Sequence, residues 1–392
     1  MRRKTVSVII AIFFSLAVFG QINVQKQFEF AAKQYQGMLA SHPDLTQSPQ
    51  STNPDGTPNN RTSDWWCSGF FPGSLWYLYE FTGDPIWKEA AERWTMALEK
   101  EQYNTGTHDL GFMLYCSFGN GYRLTKNDAY KKIMLNGAKS LATRFDPKVG
   151  LIKSWNLFQK KYTYPVIVDN MMNLEFLFWA ARETGDKDFY NICITHADNT
   201  LKNHFRGDNS SYHVVCYDPK GEVLVKKTFQ GAADESPWAR GQSWGLYGYT
   251  VMYRETKDVK YLTQAQKIAA FILNNPNLPS DKIPYWDYSK PGEMRDASAA
   301  AIAASALLEL SQYSDKKKKK GYIAVASKML ESLSGSSYRA NQGENNNFIL
   351  MHCTGHKPGN LEIDVPLVYA DYYYLEALLR YRKIMAMKLA DN

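Results

Sequence analysis

Five times along this chain an aromatic-rich stretch runs into Thr or Ser, a short polar turn follows, and a new amphipathic stretch begins. The copies are Tyr79 to Asp84 ahead of Ile86 and Trp87, Tyr122 to Asp128 ahead of Tyr130, Arg182 to Asp186 ahead of Phe189 and Tyr190, Tyr253 to Asp258 ahead of Tyr261, and Tyr313 to Asp315 ahead of Tyr322. A chain needs such a turn where one helix stops and its antiparallel neighbour starts: Gly accepts a left-handed C-cap, and Asp or Thr can cap the next helix. From Thr82 through Thr125, Thr184 and Thr256 to Ser314 the steps are 43, 59, 72 and 58 residues, each room for one helical hairpin and a loop. Helical periods also run from Val24 to Ala40, with Phe28, Phe30, Ala31, Tyr35 and Leu39 on one face, and from Leu367 to Met385. About six hairpins result, which predicts an all-α (α/α)6 barrel, a closed ring whose inner helices feed loops into one cleft. An open solenoid is the alternative.

Between these helices Ser211 to Tyr217 and Glu222 to Thr228 alternate like strands across the turn Asp218-Pro-Lys-Gly221, which predicts a small β-hairpin insert decorating the helical body. Ser41 to Ser63 is polar and rich in Pro, Gly and Asn, and Lys316 to Lys320 reads as an exposed loop joining two helices.

With 44% hydrophobic and 22% charged residues over 392 positions, the chain has material for a large soluble core, and residues 21–392 read as one barrel domain. Ahead of it, Met1-Arg-Arg-Lys4 and the apolar run Val6 to Phe19 have the parts of a secretory signal, too short for a comfortable membrane span, so residues 1–20 predict an exported, periplasmic protein. Arg2, Arg3 and Lys4 supply three of the seven excess positive charges, and the remaining +4 does not predict a nucleic-acid binder. The five cysteines are widely spaced without a CxxC pair, which argues against a disulfide framework or a zinc site and for buried small side chains.

No phosphate loop, HExxH or nucleophile elbow is present, whereas carboxylates sit among aromatics. Asp109, beside His108, and Asp169, followed by Asn170 and Asn173, each begin an apolar helical run. Either could simply be an N-cap. A third cluster packs Trp238, Arg240, Gln242 and Trp244 into seven residues at a helix entry, flat faces for stacking and a fixed cation for a carboxylate or sulfate. With Trp65, Trp66 and Trp155, these residues equip a cleft for sugar rings.

His108-Asp-Leu-Gly-Phe112, Asp169-Asn-Met-Met-Asn173, Ser210-Ser-Tyr-His213 and Trp238-Ala-Arg-Gly-Gln-Ser-Trp244, in this order, resemble the unsaturated glucuronyl hydrolases of glycoside hydrolase family 88 over nearly the whole chain after the leader. The resemblance implies an (α/α)6 barrel and, as substrate, a lyase-generated oligosaccharide ending in a 4,5-unsaturated uronic acid. It implies hydration of that double bond, with proton to C4, water to C5 and release of the remaining sugar. Asp169 would be the general acid/base and Asp109 the second carboxylate. His108, His213, Gln230, Trp238, Arg240 and Trp244 would contact substrate, while Trp155 and one of Trp65 and Trp66 stack on sugar; the fixed charge of the guanidinium makes Arg240 the expected clamp for the carboxylate. No metal or organic cofactor is implied. The sister rhamnogalacturonyl hydrolases, acting on pectin fragments, and a non-catalytic glycan-binding helical protein are the alternatives.

Overall fold

The computed structural model describes residues 22–390, so the leader segment lies outside the described residues. Inner helices are α2 (Phe70–Thr82), α4 (Asn120–Thr125, continuing a π-helix over Gly111–Gly119), α6 (Leu174–Thr184), α8 (Ala239–Thr256), α10 (Ala297–Ser311) and α12 (Val368–Ala390). Outer helices alternate with them: α1 (Val24–Ser41), α3 (Pro85–Met96), α5 (Asp128–Ala142), α7 (Lys187–Asn203), α9 (Val259–Asn274) and α11 (Lys316–Ser334). Each inner helix packs on the next, and α12 packs back on α2, so the ring closes and is not an open solenoid.

Composition explains which helices go inside. In α10, ASAAAIAASALLELS, nearly every residue is buried, and its alanines let neighbours approach on both sides. The outer helices carry one apolar stripe, as α9 does with Tyr261, Ala265, Ile268 and Ile272.

The repeated turns are built as their residues dictate. Gly83, Lys126, Gly185 and Lys257 hold left-handed C-caps with φ of 69°, 58°, 74° and 60°. Asp84, Asn127, Asp186 and Asp258 then accept a backbone N–H of the following helix. The preceding Thr82, Thr125, Thr184 and Thr256 hydroxyls donate back one turn and accept the N–H of the capping residue. The lysine run is no loop. Asp315 caps it by accepting Lys318 N–H, and Lys316–Lys320 form the exposed first turns of α11.

Short strands cover one end of the ring. β1 (Ser48–Thr52) pairs β2 (Pro58–Arg61), β3 (Phe145–Asp146) pairs β4 (Leu151–Ile152), and β8 (Cys353–His356) pairs β9 (Leu361–Val365), all antiparallel. The expected hairpin is β6 (Val214–Tyr217) with β7 (Val223–Lys227), but β6 also pairs β5 (Pro165–Ile167). Because β5 runs straight into the segment carrying Asp169, this sheet is cleft wall and not decoration. The five cysteines are buried and free.

Replacing Asp258 by Ala removes one cap without touching the core, so urea unfolding should show a loss of about 1 kcal/mol.

Candidate functional site

The inner helices begin at the strand-covered end and there surround a cleft of about 1070 Å³. Asp109 lies in the turn before the π-helix, and Asp169 in a 3-10 segment, Val168–Asn173, that leads into α6. Neither carboxylate caps its helix. Asn173 Oδ1 does that work for the π-helix, accepting from Gly111 N at 2.9 Å and Phe112 N at 3.3 Å. The two acid-bearing segments are thereby tied together, and a Cβ on Gly111 would sit 2.5 Å from Asn173 Oδ1 and 2.8 Å from its Cα. Only glycine fits there.

Asp109 is held by Thr107, whose hydroxyl donates to Oδ2 at 2.8 Å, and by His108, whose Nε2 lies 3.2 Å from Oδ1. Burial pushes His108 below its usual pKa, against the pull of Asp109. Asp169 has the opposite environment. Its Oδ2 is buried without a hydrogen bond, and burial raises its pKa to about 7. Like-charge repulsion from Asp109 adds to that rise; the Arg240 guanidinium and the indole N–H of Trp244 work against it.

His213 completes this shell. Its Nδ1 accepts the N–H groups of Phe229 and Gln230, both at 3.1 Å, which leaves the ring proton on Nε2, 3.7 Å from Asp169 Oδ2. Burial and Arg240 hold its pKa well below the usual histidine value, so it is a neutral donor.

Several expected sugar contacts lie elsewhere. Trp238 is buried, with His213 at 4.5 Å and the Arg240 guanidinium 4.5 Å over its ring. Trp244 is buried between Phe112 and Tyr373. Neither ring faces the cleft, because each fills the layer behind Asp169. Gln242 is buried and bonds Ser211 at 2.8 Å, and His213 reaches Asp169 and not the cleft surface. Arg240 is no open carboxylate clamp. One amino group donates to Asp296 at 3.0 Å and Thr354 O at 2.6 Å, the other to Gly355 O at 2.6 Å, and only Nε lacks a partner.

His108, Gln230, Trp155, Trp65 and Trp66 do line the cleft. Gln230 Nε2 is bonded to Gly355 O at 2.9 Å. Trp155 meets Phe229 edge-on at 5.3 Å. Trp66 is wedged among Phe70, Phe112 and Tyr369, whereas Trp65 stands at the rim, 42% exposed.

Other lining residues were not foreseen: Arg61 from β2, His356 and Glu362 from the β8–β9 pair, Phe229, and Tyr369 at the start of α12. In β9 and its approach, Asn360, Glu362 and Asp364 take φ of 54°, 53° and 57°, so the two-residue alternation that marks a strand is broken. Gly355 is the one available signal. A Cβ there would lie 2.4 Å from Glu362 Oε2. Among the described residues no group of three or more His, Cys, Asp or Glu is placed to hold a metal, and no helix is long and apolar enough to cross a membrane.

The family model for Glycosyl Hydrolase Family 88 matches residues 40–382. An unsaturated glucuronyl hydrolase of Formosa agariphila is 43% identical over 370 residues, 93% of this chain and 92% of that protein. A crystal structure of an unsaturated glucuronyl hydrolase specific for heparin superposes with a TM-score of 0.90 at 49% identity, covering 93% of this chain and 98% of that one. A Streptococcus agalactiae unsaturated glucuronyl hydrolase variant complexed with dGlcA-GalNAc6S gives a TM-score of 0.79 at 28% identity, with 92% of each chain covered.

Gly111→Ala should cost about 2–3 kcal/mol in urea unfolding, since the Asn173 backbone as well as its capping amide must give way. For Asp169, the folded value near 7 exceeds the ordinary 3.8, so the native state binds the extra proton and loses stability as pH rises from about 4 to 7. Asp169→Asn should therefore gain on the wild type by about 1–3 kcal/mol between pH 4 and pH 8, read from thermal melts across that range.

Proposed function

Because this chain belongs to glycosyl hydrolase family 88, we propose that it releases the 4,5-unsaturated glucuronic acid from the non-reducing end of lyase-generated, glycosaminoglycan-type oligosaccharides by adding water across C4=C5. One observation carries this reading: a buried, unbonded carboxyl on the cleft floor with a pKa near 7, beside a second carboxylate. The unsaturated uronate is an enol ether. Its C4 takes a proton, and the positive charge that results is shared by C5 and the ring oxygen. Asp169, protonated near neutrality, is suited to give that proton to C4. Its new carboxylate is stabilised by Nε2–H of His213 and by Arg240, and it takes a proton from the water that adds to C5. Asp109, held by Thr107 and His108, faces the cationic stage with a fixed negative charge. The C5 hemiketal then opens to a ketone, and the hemiacetal left at C1 expels the rest of the oligosaccharide.

Trp66 and Trp155 are the platforms best placed for sugar rings, and Gln230 offers polar contact at the same wall. Export to a periplasm belongs to the same proposal, supported by the basic start and apolar run at residues 1–20. Cell fractionation with an antibody to the chain tests it.

The activity is tested by following the ultraviolet band of the conjugated double bond on lyase-generated disaccharides. The band should disappear with wild type, and Asp169→Asn should lower kcat by at least about a thousandfold while still binding substrate. Above pH 7 the rate should fall about tenfold per pH unit, because the donor must be protonated. A rate that climbs steadily to pH 9 would remove Asp169 from the role of acid.

A further inference from the structure

The cleft carries four carboxyl groups, Asp64, Asp109, Asp169 and Glu362, but only two side chains of fixed positive charge, Arg61 and Arg240. With so little fixed positive charge, the state of each arginine decides which side chain can meet an anionic group of a sugar. Arg240 is committed to Asp296 and two backbone carbonyls. Arg61 is the free one. Its Nε is buried without a hydrogen-bond partner, and among the described residues no acid lies within ion-pair distance of its guanidinium. No hydrogen bond to a described residue uses its amino groups either, so a ligand oxyanion could meet the fork with charge-assisted, bidentate geometry.

The position is also prepared. Arg61 ends β2, whose pairing with β1 fixes its backbone opposite Ser48. The guanidinium rests 5.2 Å over the ring of Trp65, which limits its swing, and the residue lines the cleft. Asn59, on the same strand, also faces the cleft and is itself tethered to Ser51 Oγ at 2.9 Å. This group stands at the rim, where Trp65 is 42% exposed, whereas Asp169 at the floor is 7% exposed. A disaccharide with its uronate at Asp169 extends its second sugar toward that rim.

We propose that Arg61, carried on Trp65, binds a sulfate ester on the sugar next to the unsaturated uronate and so sets the preference for sulfated substrates. The inference rests on the hydrolase reading for where the uronate sits. A carboxylate could satisfy the same fork, but every substrate of the reaction carries one, so a comparison between sulfated and unsulfated partners separates the two.

The test uses unsaturated disaccharides with no sulfate, with hexosamine 4-O-, 6-O- or N-sulfate, and with uronate 2-O-sulfate. The quantity read is kcat/KM for each sulfated compound divided by that for its unsulfated counterpart. For the hexosamine-sulfated compound that wild type prefers most, Arg61→Gln should lower this ratio about tenfold or more, mainly through KM. Arg61→Lys, with the charge but not the fork, should fall between. A ratio that moves less than threefold overturns the proposal, as does an equal loss on all compounds, which marks a carboxylate contact. Movement confined to the uronate 2-O-sulfate overturns the placement on the second sugar. If no compound is turned over, the hydrolase reading fails. Calorimetric affinities of the same pairs for wild type and Arg61→Gln then decide the role of Arg61 by the same ratios.

Discussion

The cleft floor depends on one amide. Asn173 Oδ1, reaching from the end of the Asp169 segment to the first N–H groups of the π-helix, fixes how far apart the two carboxylates stand. Helix starts leave N–H groups unpaired, and in the outer helices and α10 one of them is met by an acid or amide from the helix's own turn. Here the cap comes from a neighbouring inner helix. That frees Asp109 from capping, and it leaves Asp169 in a buried place where no helix N–H bonds its carboxyl. The glycine at 111 follows from the same joint, since the backbones meet too closely for any side chain.

Around that joint the charged groups are set at different depths for different work. Arg240 is wholly enclosed, spends its amino groups on Asp296 and the β8 carbonyls, and acts on Asp169 through space. Its bonds to Thr354 and Gly355 also hold β8 against the start of α8, so the ion pair positions a wall as well as a field. The neutral His213, its proton directed by two backbone donors, adds a short-range contact that the buried cation cannot. Burial still outweighs both, which is why a group flanked by two stabilising donors keeps its proton near neutrality.

Much of this was legible in the residues. The Thr-Gly-Asp turns carry their own capping chemistry, so helix ends and the count of hairpins could be read locally. Either of Asp109 and Asp169 alone reads as well as an N-cap; they were legible together, because both open helices apolar enough to be internal and are flanked by His108, Asn170 and Asn173. Trp238, Arg240, Gln242 and Trp244 were legible as a cluster but not in orientation, because four residues at a helix start point in different directions and only packing decides which face the cleft. Arg61 and the β8–β9 residues of the lining were hidden for another reason. The β8–β9 pair uses left-handed residues at 360, 362 and 364, and Arg61 lies in a stretch whose Asn, Pro and Gly content reads as loop.

Three inner segments bring their first turns to the cleft, the π-helix with Phe112, α8 with Arg240 and α12 with Tyr369. Their aligned peptide dipoles put partial positive charge around its mouth without a single lysine in its lining. An acidic saccharide is therefore drawn by a field fixed in the backbone, which mutation of surface residues does not erase and which salt screens less as the chain goes deeper. The ring architecture is thus itself part of the recognition apparatus, and a cleft lined by four carboxyl groups can still accept an anion.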